Sequence, residues 1–273
     1  MLKALRIVTL ILFVLTVGLF CIFHINNKRN TDTTIPEIKI EGEMLEVNIN
    51  ATDKDLLKGV TAYDGKDGDI TKKVIVESIS PFIEKGVCEV TYAVCDSNKH
   101  VVKNKRNIKY VDYTPPKFTM ERALVFSVDE EVDILSSMGA MDSIDGDISD
   151  KVVLTATDYT SDTIGVFTVN MQATNSKGDI VYLNLPLHIE KISVAAPVVE
   201  LEEYIMYVKK GQKPDFSKNI AAVSTRSGQA IKYTSYISTD FDSNTPGVYS
   251  VHYYIKNELE YETHSILTVV VEE

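Results

Sequence analysis

The chain has 273 residues, 44% of them hydrophobic and 25% charged, a balance that excludes wholesale disorder. It carries 28 Lys and Arg against 39 Asp and Glu, a formal net charge of −11, and every acid lies beyond position 30. A surface of that sign repels phosphate backbones, which excludes nucleic acid as a partner.

Lys3 and Arg6 precede an apolar run of 19 residues from Ile7 to Ile25, closed by Asn26, Asn27, Lys28 and Arg29. As a helix this run reaches about 28 Å, close to the ~30 Å hydrocarbon core of a bilayer. A cleaved signal peptide would have a shorter apolar stretch followed by small residues. The one candidate cleavage site, Thr16-Val17-Gly18, lies inside the run, and Phe20 stands where a lipoprotein needs a small residue before Cys21. The pattern predicts an uncleaved signal-anchor: residues 1–30 form a cytoplasmic stub and a single transmembrane helix, the lipid bilayer is the partner of residues 7–25, and the remainder lies outside the cell membrane. Basic residues at both ends bias this orientation only slightly.

Beyond the helix, landmarks recur about every 80 residues. Asp32-Thr33-Thr34-Ile35-Pro36 returns as Asp112-Tyr113-Thr114-Pro115-Pro116, Gly68-Asp69-Ile70 as Gly146-Asp147-Ile148, and Gly86 as Gly165 and Gly247. Each of these last three glycines opens a strand of period 2: Cys88, Val90, Tyr92 and Val94; then Phe167, Val169, Met171 and Ala173; then Tyr249, Val251, Tyr253 and Ile255. Apolar alternation of this kind predicts a half-buried strand of an antiparallel sheet. The strands end in turn chemistry at Asp96-Ser97-Asn98, Asn175-Ser176-Lys177-Gly178 and Asn257, and a second strand follows each turn, over 107–111, 180–189 and 264–271. Helical signal past residue 36 is confined to one short turn within 53–60. The expected fold is all-β, with tandem immunoglobulin-like sandwiches after one N-terminal transmembrane helix. Prolines set the expected boundaries at 36–114, 115–194 and 195–273. Stiff joints at Pro115-Pro116 and Ala195-Ala196-Pro197 would make a rod of three domains in series. Cys88 and Cys95 fall seven residues apart on one strand, about 23 Å and on opposite faces, too far to pair with each other.

The junction motif, Val60-Thr61-Ala62-Tyr63-Asp64 with Asp67-Gly68-Asp69-Ile70-Thr71, and Val90-Thr91-Tyr92-Ala93-Val94-Cys95-Asp96 after Gly86 together resemble bacterial immunoglobulin-like repeats of the DUF5011 type, also described from an insecticidal crystal toxin. The resemblance covers most of 32–118. It continues more loosely through 119–190, where Met141-Asp142 and Asp145-Gly146-Asp147-Ile148 keep the loop. It is faint in 195–273, where Ser227-Gly228-Gln229 replaces the acids. Such a resemblance implies an exported, surface-exposed accessory module without chemistry of its own.

The sharpest chemical candidate is the loop Asp64-x-x-Asp67-x-Asp69, repeated as Asp142-x-x-Asp145-x-Asp147. Three carboxylates within six residues could supply oxygens to calcium, although the spacing is not that of an EF-hand. The competing reading is a turn in which Asp caps its own backbone and Gly supplies a positive φ. No other cofactor is expected. The histidines at 24, 100, 188, 252 and 264 are scattered singly, with no H-x-H or H-E-x-x-H, and no nucleophile elbow is present, so no enzyme is expected. His252 falls on the outward face of its strand, where solvation is the default. Tyr204, Tyr207, Tyr233, Tyr236, Tyr249, Tyr253, Tyr254 and Tyr261 concentrate in the third unit. The resulting expectation is a membrane-anchored structural or adhesive spacer at the bacterial surface. The alternative is a receptor for a glycan or surface protein, with the Tyr-rich third unit as its platform.

Overall fold

A computed structural model describes residues 2–30 and 34–273. The junction residues Asp32 and Thr33, and the side chains of Lys3, Lys28 and Arg29, lie outside the described residues. Helix α1 spans Leu2–Asn30, and its apolar stretch from Arg6 to Ile25 is exposed along its whole length. Its two threonines satisfy their hydroxyls within the helix. Thr9 Oγ1 donates to the Arg6 carbonyl at 3.0 Å, and Thr16 Oγ1 donates to those of Leu12 and Phe13 at 3.0 and 2.9 Å. That internal bonding is what hydrocarbon surroundings require.

The rest is predominantly strand. Three stretches fold in one pattern. The first contains β1 (Glu37–Ile40), β2 (Met44–Val47), the short helix α2 (Asp53–Leu56), β3 (Val60–Asp64), β4 (Gly68–Asp69), β5 (Ile75–Glu84), β6 (Val87–Cys95) and β7 (Val101–Tyr110). The second contains β8 (Lys117–Met120), β9 (Val125–Ser127), β10 (Met138–Asp142), β11 (Gly146–Asp147), β12 (Val153–Thr157), β13 (Gly165–Thr174) and β14 (Ile180–Glu190). The third contains β15 (Val198–Leu201), β16 (Ile205–Lys209), β17 (Ile220–Ser224), β18 (Tyr233–Thr239), β19 (Gly247–Asn257) and β20 (Glu262–Glu272).

Each stretch makes a small sheet and a four-stranded sheet. The small sheets are ordered β1-β3-β4, β8-β10-β11 and β15-β17; the large ones are β2-β7-β6-β5, β9-β14-β13-β12 and β16-β20-β19-β18. The opening segment of each sandwich is split. Its first half pairs antiparallel in the small sheet and its second half pairs parallel with the last strand of the large one. This switch of one strand between layers closes both sheets over a common interior, the immunoglobulin-like arrangement. The period-2 faces read from sequence form those interiors: Cys88, Val90 and Tyr92, then Val169, Met171 and Ala173, then Val251, Tyr253 and Ile255, are fully buried. Cys88 and Cys95 sit near opposite ends of β6, the first in the core and the second exposed.

The first sandwich buries polar groups as well. Tyr92 donates its hydroxyl to the Leu56 carbonyl at 2.7 Å, and Arg106 Nη2 donates to Tyr92 Oη at 2.9 Å and to the Leu56 carbonyl at 2.8 Å. Those bonds fix α2, whose first turn is tied by Thr52 donating its backbone N–H and hydroxyl to Asp55 Oδ2. A buried tyrosine whose hydroxyl is satisfied anchors the helical turn to the sheet.

The chain divides into two compact units, residues 1–111 and 112–273. The boundary expected near 194 and 195 lies inside the second unit. The second and third sandwiches share an apolar cluster of Ala123, Val125 and Ile266, with Ile192 and Tyr204 against it. Around it the Phe118 backbone N–H donates to Tyr207 Oη at 2.8 Å, and Lys117 lies 4.6 Å from the Tyr207 ring centroid while pairing with Glu272 at 2.6 Å. Strand β20 is accordingly buried on both faces over 264–269, since its off-core residues His264, Ile266 and Thr268 meet the second sandwich. Alternation predicts a solvated outer face; the second sheet covers it instead.

Candidate functional site

The acidic loops are built as reciprocal turn clamps. Asp64 Oδ1 accepts from the backbone N–H groups of Lys66 and Asp67 at 2.9 and 2.8 Å, and Asp142 Oδ1 accepts from Ile144 and Asp145, both at 2.9 Å. Asp67 reaches the turn after β6, where its two oxygens accept from the Ser97 backbone N–H and hydroxyl, both at 2.7 Å. Asp145 does the same with Ser176 in the turn after β13. Asp69 and Asp147 cap the following single turn by accepting from the Thr71 and Ser149 backbone N–H groups at 2.9 Å. Gly68 and Gly146 both have φ of +73°, the conformation the turn reading requires of glycine.

Donors of this kind favour the charged form of Asp64, Asp67, Asp69, Asp145 and Asp147. The Asp67 backbone N–H lowers the Asp64 pKa, the Ser97 hydroxyl that of Asp67, the Thr71 hydroxyl that of Asp69, and the Ser149 hydroxyl that of Asp147. For Asp145 burial pushes upward, and the Ser176 bonds outweigh it. Each carboxylate offered to calcium in the sequence reading thus already accepts from amide or hydroxyl donors.

A different set of side chains converges in the second unit. His188 and Glu190 alternate on the off-core face of β14, and His252 and His264 occupy the off-core faces of β19 and β20. The pairing of His252 with Ile266 and of Tyr254 with His264 places all four residues of that hairpin on one face. Packing of the two sandwiches then brings the rings of His188, His252 and His264 into a triangle with centroid separations of 5.3, 5.5 and 5.7 Å. His264 Nδ1 lies 3.1 Å from Glu190 Oε2, and His188 Nδ1 lies 3.9 Å from Glu190 Oε1. Among the described residues, His188, Glu190 and His264 form the one group of three whose ligand atoms all lie within 4.8 Å of one another.

The cluster is secluded without being sealed. The side chains of His264, His188 and Glu190 are 5%, 12% and 37% exposed. Two ring nitrogens, His252 Nδ1 and His264 Nε2, are buried without a hydrogen-bond partner. Burial, reinforced by His264 and His252, pushes His188 down to about 4, and burial followed by His264 lowers His252. The hydrogen bond from His264 holds Glu190 below the ordinary carboxylate range. A cleft of about 470 Å³ opens beside His264 and is lined also by Arg122, Glu130, Tyr204 and Arg226.

The tyrosines divide. Tyr253 is core, Tyr204 and Tyr207 serve the seam, and Tyr254 stacks between Tyr236 at 4.7 Å and His264 at 5.3 Å. Tyr236, 57% exposed, ends this aromatic ladder on β18, a strand exposed throughout. Sequence reasoning missed the histidine cluster. The hairpin parity that puts His252 and His264 on one off-core face was available from the chain, as was the H-x-E alternation at 188–190. The approach of the two faces was not.

No family model matches the chain, and the resemblance to DUF5011-type repeats has no support beyond the quoted motifs. Over 101 residues it is 35% identical to an uncharacterized 81.3 kDa protein of Acholeplasma phage L2, an alignment covering 36% of this chain and 13% of that protein. Among solved structures, Drosophila N-cadherin EC1-3 is 15% identical with a TM-score of 0.31, covering 89% of this chain and 90% of that one. A Clostridium perfringens ZmpB structure of the M60 catalytic domain with two CBM51 domains is 14% identical with a TM-score of 0.24, covering 88% of this chain and 31% of that one. A ZmpB CBM51-2 structure in complex with GlcNAc is 20% identical with a TM-score of 0.23. At these scores the structural likenesses carry no argument about what this chain binds.

Proposed function

We propose that this chain is a membrane-tethered, outward-facing module in which immunoglobulin-like sandwiches act as a structural or adhesive spacer, and that it is not an enzyme. The observation that carries this reading is α1: 20 residues from Arg6 to Ile25, long and apolar enough to cross a bilayer, none of them buried against protein. Apolar area of that extent is unfavourable in water and favourable in hydrocarbon. The sandwiches that follow are rigid by construction, with layered cores and clamped turns, which suits holding a surface away from a membrane. The exposed edge strand β18, with Tyr233, Tyr236 and Ile237 open to solvent, favours a second reading in which the third sandwich receives an extended peptide or a flat glycan.

The test is fractionation with topology labelling. The full chain is expected to stay in the membrane pellet after alkaline carbonate washing, and a chain lacking residues 2–30 to be soluble. Exposed Cys95 is expected to react with a membrane-impermeant maleimide on intact cells, with Cys95→Ser as the control. Cleavage of the full chain in cells that frees the sandwiches from the membrane, or labelling of Cys95 only after lysis, overturns the reading.

A further inference from the structure

Four side chains with metal-binding chemistry meet where two sheets pack, two from each sandwich, and each is carried on a strand held by a continuous ladder. In a tetrahedral site with bonds near 2.0 Å, ligand atoms sit about 3.3 Å apart. The ligand atoms of His188, Glu190 and His264 lie within 4.8 Å, so convergence asks each side chain to move by less than about 1 Å. An ion bound by three imidazoles at that length holds their ring centroids roughly 5 Å apart. The observed triangle of 5.3, 5.5 and 5.7 Å nearly has that size.

Hydrogen bonding within the cluster is also incomplete. His264, with its side chain only 5% exposed, leaves Nε2 without a partner, and His252 leaves Nδ1 so. Buried polar atoms are rarely left in that state unless an unseen group completes them. Glu190 supplies the negative charge a cation needs in partly dry surroundings, and the cleft beside His264 supplies an entry path. Three imidazoles with one carboxylate suit a borderline cation rather than calcium or magnesium, which prefer all-oxygen shells.

We propose that His188, Glu190 and His264, with His252 completing the set, bind one first-row divalent cation, zinc foremost, and that the ion staples the second sandwich to the third. The site stands whether or not α1 spans a bilayer. It goes beyond the spacer reading, because it makes the stiffness of the joint depend on metal.

The experiment uses the full chain in detergent micelles, freed of metal by a chelator, on a Cys95→Ser background that removes the exposed thiol as a competing ligand. Titration with zinc chloride is expected to show one ion per chain. Cobalt(II) in its place should give the visible bands of four-coordinate geometry. His188→Gln and His264→Gln should each weaken binding by about 100-fold, and His252→Gln should weaken it and alter the cobalt spectrum. Amide hydrogen exchange in β9 and β20 should slow on adding zinc to the parent chain and not in His188→Gln. Because the His188 side chain is more open than that of His264, 12% against 5% exposed, that variant keeps the test open should His264→Gln fail to fold. Absence of stoichiometric binding at free zinc up to about 100 µM, or unchanged binding in the His188→Gln/His264→Gln double variant, overturns the proposal.

Discussion

Single side chains in this protein decide more than their size suggests where they are buried and polar. Tyr92 is fully buried, with its hydroxyl bonded both to the Leu56 carbonyl and to Arg106. Tyr92→Phe keeps the ring and removes both bonds, so it should cost about 1–3 kcal/mol, the penalty of leaving buried groups short of a partner. Urea unfolding of the parent and the variant checks this, and an unchanged midpoint would show that Arg106 finds another acceptor. Leu187 and Leu267, fully buried in the second and third cores, are ordinary by contrast. Truncation of either to Ala should cost about 2–5 kcal/mol through lost burial and the cavity left behind, measurable as a lowered denaturation midpoint. The fully buried apolar positions on β6, β13 and β19 were readable from alternation alone. The polar partners of Tyr92 were not, because Leu56 lies 36 positions away in sequence.

At the scale of elements, the recurrent acidic loops work as fasteners. The second aspartate of each reaches the turn after β6 or β13, and the third caps the next turn. These carboxylates have folded pKa values below the ordinary 3.8. Their contribution is therefore complete above that value and is lost as pH falls through it and below. Between about pH 5 and pH 2, the parent chain should lose stability more steeply than the Asp67→Asn/Asp145→Asn double variant, as thermal melts across a pH series would show. Since each carboxylate already accepts from amide or hydroxyl donors, millimolar calcium should leave the melting temperature of the parent unchanged; a calcium-dependent rise abolished in that double variant would restore the metal reading. The motif and the positive φ of its glycine were legible in the chain. The link from Asp67 to Ser97 and from Asp145 to Ser176 was not, since it depends on two turns arriving side by side.

For the molecule as a whole, the decisive feature is the covered face of β20. Ile266 is buried against Ala123 and Val125, in a seam that joins the two sandwiches of the second unit. Ile266→Asp places a charge in that apolar cluster and should part the faces while leaving each core intact. Hydrogen exchange should then speed up at the edge of β9 and along β20, with β13 and β19 still protected. Loss of protection throughout would mean that neither sandwich holds without the other.

The amino-acid sequence by itself determined the apolar helix, the pattern of strands and turns, and which face of each strand looks inward. These follow from local periodicity and from the conformational preferences of glycine, proline and aspartate, which act over a few residues. Only the tertiary structure decided that the outer faces of two sandwiches press together, turning isolated histidines at 188, 252 and 264 into one cluster around Glu190. Two surfaces find each other through the sum of many weak apolar contacts, and no residue within reach along the chain announces that sum.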